Sequence, residues 1–495
     1  MNRNKQMKLP RSVLERMRAP KGESFNESEP TTAEGYYDRA VSHEESGDRW
    51  FSSDLSKAIR FYYRSHVDYL KALKLDPINE DALYNLPRLE YEVYSKYTKE
   101  DSVILDDLTN CADVLNDNGK DGLFQDIQGI CKHFESSISI LQQSGNESLI
   151  GYDFYFNIAI CYSEYIDILC SNAQNIMEIQ LGDELTLSID RCMQMFLKFF
   201  EHIKHIMNSK IGDDSDTIED IESITNGCIE SYRMIATVYE SLYSDQLIMF
   251  MDGVMGTFVE EVDTIANTLV PIIQNIGLLN TLKISKLNER CSRVLNCDEF
   301  LNLWSSHTDL NSNLQKRLME ASSMRSFIDK FEVVSLELPI NNKWSILGTM
   351  SNQYRSITDI IKREITDIET SKSMESDLLS SKIILMCSIF IERADIELER
   401  SLVPITEAIS SRTILQNNSK TLLKNALIFS KKSGGIRESI MGKLSRKKRQ
   451  REAAMRLCLL EGKHQNEWNT IIGEQYWPAE LNTIGEIEAY KSYFS

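Results

Sequence analysis

From Asp54 to Ser95 apolar residues recur every three to four positions, the pattern breaks at Pro77, and the same spacing then resumes. This pattern predicts the second helix of one helical hairpin, a proline-marked turn and the first helix of the next. Upstream, Ala33 to Ser53 predicts the partner helix, with Tyr36, Tyr37, Ala40 and Val41 on one side. Its Glu-Glu-Ser-Gly-Asp segment is unusually polar for an interior. Downstream, Leu83, Asn85 and Leu86 belong to the next helix. Pro87 is expected to kink that helix or restart it one turn later, because proline has no N–H for the carbonyl four residues back.

Helical spacing continues at Leu123 to Gln143, Tyr152 to Leu169 and Glu184 to Met207, and again around Tyr232 to Tyr239 after an acidic stretch, GDDSDTIEDIE, expected to be a connector. Gln246 to Ile276 turns apolar and rich in methionine, the pattern of a buried helix pair or of an adaptable binding wall. Leu282 to Val334 keeps a helical period. FEVVSLELP, ending at Pro339, is expected to be an extended linker. Further helices are predicted at Tyr354–Ile368, Ser376–Leu402, Pro404–Ser410 and Ser419–Ser430, and another opens at Gly435.

Counted back from Pro77 in a 34-residue frame, Ala72, Tyr69 and Ser65 occupy small, aromatic and small positions, and Ala159 with Tyr162 and Ala236 with Tyr239 repeat a small–aromatic pair. Trp344, Leu347 and Gly348 match a Trp-Leu-Gly signature, with Ser351 where an aromatic residue belongs. In these positions the chain resembles the tetratricopeptide-repeat superfamily. The resemblance implies an all-α fold, a right-handed superhelix of degenerate hairpins, with first helices lining a groove. Tyr84, Asn85, Arg88, Phe156, Asn157 and Tyr232 are the groove residues it implies. It also provides a test for one subclass, the carboxylate clamp that holds chaperone C-termini. The clamp's Lys position falls on Tyr84 and Phe156 and its Asn position on Arg88 and Ile160, so such a co-chaperone is not expected.

Composition favours long helices: Gly (21) and Pro (9) are sparse in 495 residues, and 42% of the chain is hydrophobic. The net charge of -19 is unevenly spread. Met1–Gly22 carries about +6, Lys431–Arg451 about +8 and Glu452–Ser495 about -4, leaving roughly -29 on the long middle. Such a body repels nucleic acid and attracts basic proteins. The ten cysteines form no Cys-x-x-Cys pair and fall mostly singly within apolar helical stretches, as reduced core cysteines do. No secretory signal and no membrane span is expected, which points to the cytoplasm or nucleus.

Catalytic patterns are missing from the sequence: there is no Gly-rich phosphate loop, no Gly-x-Ser-x-Gly elbow and no His-Glu-x-x-His. His202 and His205 in EHIKH fit a solvated helix face better than a metal site. No enzyme activity, cofactor or metal is expected. The remaining feature is KLSRKKRQR, where Lys443, Arg446, Lys447, Lys448, Arg449 and Arg451 place six positive charges in nine residues. Such a helix can bind an importin groove, RNA phosphates or an acidic protein face. No aromatic residue interleaves the charges, which argues against RNA recognition by base stacking.

The expected organisation is a polar, disordered arm over 1–32, helical repeats over 33–335, a second repeat set over 336–430, and a basic helix with a capping segment over 431–495. The expected function is a non-catalytic adaptor or dedicated chaperone that holds a basic client protein on an acidic groove. The alternative is an RNA-associated nuclear scaffold working through 443–451.

Overall fold

The structure, a computed structural model, describes residues 29–116, 122–171, 179–209, 214–310, 313–332, 338–370, 376–435 and 438–494. Nearly all of the expected arm, the center of FEVVSLELP and Ile436 lie outside the described residues. The described residues are helical with connecting turns and contain no strand. None of their helices is long and apolar enough to cross a membrane. They divide into two compact units: one holds the residues up to Glu100 with Ile104–Trp304, the other Asp101–Val103 with the residues from Ser305 onward. This division lies upstream of the break expected at 335, and 336–430 and 431–495 share one unit.

The first unit opens with α1 (Ala33–Phe51) and α2 (Leu55–Leu75). Thr32 and Asp54 cap them, each side-chain oxygen accepting an N–H three residues on, from Gly35 at 3.1 Å and Lys57 at 2.8 Å. The two helices pack together, with Ser65, Tyr69 and Ala72 fully buried. Gly47 makes the close approach possible: a Cβ there would stand 2.5 Å from the Tyr62 ring.

α3 (Glu80–Val93) contains Pro87 and runs on through it without the expected restart. Pro87 cannot donate to the Leu83 carbonyl. The Ser137 hydroxyl, from α5 (Ile127–Gln143), donates to it instead at 2.8 Å. A π-helical turn, Tyr94–Thr98, extends α3, and the short α4 (Ala112–Leu115) precedes α5.

α6 (Tyr152–Ser171), α7 (Ile179–Ser209), α8 (Asp214–Glu240), α9 (Asp245–Leu269), α10 (Ile276–Ser292) and α11 (Cys297–Ser306) follow. Most of the expected acidic connector is thus helical, forming the first turns of α8. Neighbours pack as hairpins, α6 on α7 and α8 on α9. Alternate helices also meet: α3 with α6, α6 with α8, and α8 with α10. Gly227 admits α7 against α8, since a Cβ there would stand 2.3 Å from the Phe199 ring. In the Met-rich stretch Met251 and Met255 are buried while Met249 is exposed.

In the second unit α12 (Leu314–Glu332), α13 (Ile340–Thr370), α14 (Ser376–Leu402), α15 (Thr406–Ser430), α16 (Ile440–Leu460), α17 (Gln465–Ile471) and α18 (Trp477–Gly485) lead to a closing 3-10 turn, Glu488–Tyr493. α14 packs against α13, α15, α16 and that turn. The two helices expected at 404–410 and 419–430 are one, α15, because no Pro or Gly interrupts Ser411–Asn418.

Candidate functional site

The six side chains expected on a groove are all buried, at 4% exposure or less. They form joints between helices. Arg88 of α3 donates through Nη2 to Glu44 of α1, through Nε to Asn85 Oδ1 at 2.9 Å and through Nη1 to Glu92 at 3.2 Å. Tyr69 of α2 donates to the other Glu44 oxygen at 3.0 Å. Glu44 accounts for the polar segment of α1: it is the counter-ion of a buried arginine 44 residues away. Burial pushes the Glu44 carboxyl up, against the pull of Arg88. Burial also works against the Arg88 charge, and the Glu44 and Glu92 carboxylates outweigh it.

Asn85 and Asn157 make the same joint one hairpin apart. Asn85 donates to the Tyr37 hydroxyl at 3.3 Å, and Asn157 of α6 donates to the Tyr84 hydroxyl at 2.5 Å. The two amides thereby tie α3 to α1 and α6 to α3. Phe156 packs on Phe199 of α7, with centroids 5.2 Å apart. Tyr232 of α8 donates to Asp263 of α9 at 2.5 Å.

A third buried group was not legible in the sequence. Glu90, 1% exposed, accepts from His66 Nε2 at 3.2 Å and His133 Nδ1 at 2.7 Å. His66 Nδ1 is buried without a partner, which assigns the hydrogen of a neutral ring to Nε2. These residues come from α2, α3 and α5, so no sequence spacing announces them. Elsewhere, Glu201 and His205 are exposed and His202 lies against the Tyr155 ring at 5.1 Å. Among the described residues no cluster of three His, Cys, Asp or Glu side chains is placed to hold a metal ion.

The basic stretch lies on α16, which Ser439 caps by accepting from Gly442 N–H at 3.1 Å. Its charges are largely matched inside the second unit. Arg446 forks onto Glu438 and donates to the Ser430 and Lys432 carbonyls at 2.9 and 2.7 Å, closing the C-terminal end of α15. Lys448 and Arg451 both reach Glu480 at 3.3 Å, and Arg451 also stacks over Tyr476 at 4.3 Å. Arg449 pairs with Asp101 at 3.0 Å and Glu452 at 2.7 Å. Lys443 and Lys447 are exposed. Glu452 is buried, and burial raises its carboxyl to about 7 despite the surrounding cations.

Ser305, Lys316, Arg317, Glu320 and Gln353 border an open cleft of about 280 Å³ in the second unit. Gln353 bridges it, accepting from Arg317 at 2.9 Å and donating to Glu320 at 3.0 Å. All ten cysteines are free and buried. Burial pushes the thiols of Cys170, Cys228 and Cys387 up to about 12.

Most of the second unit matches a family model. Residues 309–478 match the one described as the YNL193W C-terminal domain. A Saccharomyces cerevisiae protein, described as uncharacterized protein YNL193W, is 22% identical over 523 aligned residues, which cover 87% of this chain and 90% of the relative's length. No solved structure matches. The similarity to the yeast protein spans both units, whereas the family model covers α12 to α17.

Proposed function

We propose that the chain is a non-catalytic protein-binding scaffold. In this reading the first unit stacks tetratricopeptide-like hairpins as a right-handed superhelix and holds a basic client on an acidic surface. The repeated amide–tyrosine joint carries the reading: Asn85 on Tyr37 and Asn157 on Tyr84 set successive first helices in one register. Stacked repeats of this kind present a long surface, and their buried polar groups hold neighbours together.

Client contact then falls to exposed side chains. Met249 and Phe250 are adjacent at the start of α9 and are 72% and 57% exposed, with Asp245 exposed one turn earlier. A soft apolar pair beside a carboxylate, on a body of roughly -29, suits a basic partner. The test is capture on the tagged full-length chain with and without nuclease. A dominant basic protein that survives nuclease is the expected result. Loss of every partner on nuclease treatment overturns the reading.

A further inference from the structure

The outer face of α15 is poor in carboxylates for a chain of net charge -19. From Ala408 to Ser430 the helix contains no Asp or Glu, although the chain has 74 of them. Its inner positions, including Leu415, Ser419, Leu422, Leu423 and Ala426, are buried, and the helix packs on α14 and α16. On the opposite side Ile414, Asn417, Thr421, Lys424 and Ile428 follow one another at three- and four-residue spacing, and every one is exposed. Ile414 is 63% and Ile428 61% exposed.

Beyond Glu407, exposed in the first turn of α15, the charge along this stripe is positive. Lys424 is 59% exposed and makes only a long 3.5 Å pair with Glu461, which Lys463 already holds at 3.0 Å. Lys420 is half-buried on the edge of the stripe and Lys431 is exposed at its end. Glu369, near that end, is already paired with Lys432 at 3.2 Å.

We propose that this face of α15 docks an acidic protein segment carrying apolar side chains among its carboxylates. Ile414 and Ile428 stand about 21 Å apart along the axis, the reach of roughly four helical turns of a partner. They would anchor its apolar positions, while Lys420, Lys424 and Lys431 meet its carboxylates. Single exposed isoleucines are ordinary. Two on one stripe, flanked by lysines and with no carboxylate between Ala408 and Ser430, make a face complementary in charge and apolarity to an acidic segment. A second copy docking through the same face would set lysine against lysine, and nucleic acid would leave both isoleucines unused. This surface belongs to the second unit, whereas the α9 client surface proposed above belongs to the first.

The test places a photo-crosslinking residue at Thr421 of the full-length chain in cells and maps the peptide joined to it. The expected peptide is net negative and contains apolar residues. Its yield should fall at least about tenfold, or 1.4 kcal/mol, in K420E/K424E/K431E and in I414S/I428S chains. All five positions are solvent-facing or on the edge, so an unchanged melting temperature checks that each variant folds. The proposal is overturned by no crosslink, by a crosslink to another copy of the chain, or by a peptide that is not acidic. It is also overturned if vesicles of phosphatidylcholine and phosphatidylserine bind the chain and the same substitutions abolish that binding, which would assign the face to a lipid surface.

Discussion

Ser137 donates its hydroxyl to the Leu83 carbonyl at 2.8 Å, and this bond accounts for a proline inside an unbroken helix. Pro87 removes the N–H that Leu83 needs, and a side chain from α5 supplies a replacement. S137A should therefore lower stability by about 1–3 kcal/mol, the cost of a buried carbonyl left without a donor. In a P87A background the helix supplies its own N–H, so adding S137A should cost far less. A double-mutant cycle by urea denaturation measures the difference, and equal costs in both backgrounds would refute the assignment.

Arg88 and Glu44 should behave as a buried ion pair. R88M leaves the Glu44 carboxylate buried without its partner and should cost about 3–5 kcal/mol at neutral pH, whereas E44L/R88M should cost much less. The pH dependence has a definite sign. Burial already raises the Glu44 carboxyl, and losing Arg88 raises it further. The folded R88M chain then favours protonated Glu44, so its deficit should grow from pH 5 to pH 8. Chemical denaturation at the two pH values checks this.

Glu452 should make the second unit less stable as pH rises. Its carboxyl is raised to about 7 by burial, above its unfolded value. The folded state thus binds this proton more tightly, a contribution present below about pH 4.5 and lost as pH climbs through 7. The loss approaches about 3 kcal/mol. E452Q should flatten that slope in thermal melts between pH 5 and 8; an unchanged slope would show that Glu452 is ionised throughout.

The cysteines should be inert in the folded chain. All ten are buried, and three thiols are raised to about 12. Iodoacetamide at pH 8 should label them only after denaturant is added, as read by intact mass. Rapid labelling of the native chain would contradict their burial.

How much of this was legible in the sequence depends on whether a signal is local. Asp54 to Ser95 was readable because amphipathic spacing and Pro77 act within a few residues, and Ser65, Tyr69 and Ala72 are buried. The six groove residues came from the repeat frame, which places helices but does not say which of their side chains are buried. Arg88 and Asn85 are polar and buried, matched by Glu44 and Tyr37 from 44 and 48 residues away. The block at 443–451 misled in the same way: sequence counts its charges, but the carboxylates of Glu438, Glu480 and Asp101 that meet them are brought up only by folding. α15 was divided in two because its exposed stripe mixes Ile with Asn and Thr and blurs the helical period.

The scaffold reading is tested most directly by parallel capture on three full-length chains after nuclease treatment: wild type, M249D/F250D and K443Q/K447Q. The account predicts one dominant basic protein on the wild type, retained by K443Q/K447Q and reduced at least about tenfold by M249D/F250D. Loss on K443Q/K447Q with retention on M249D/F250D would contradict it and move binding to the exposed lysines of α16.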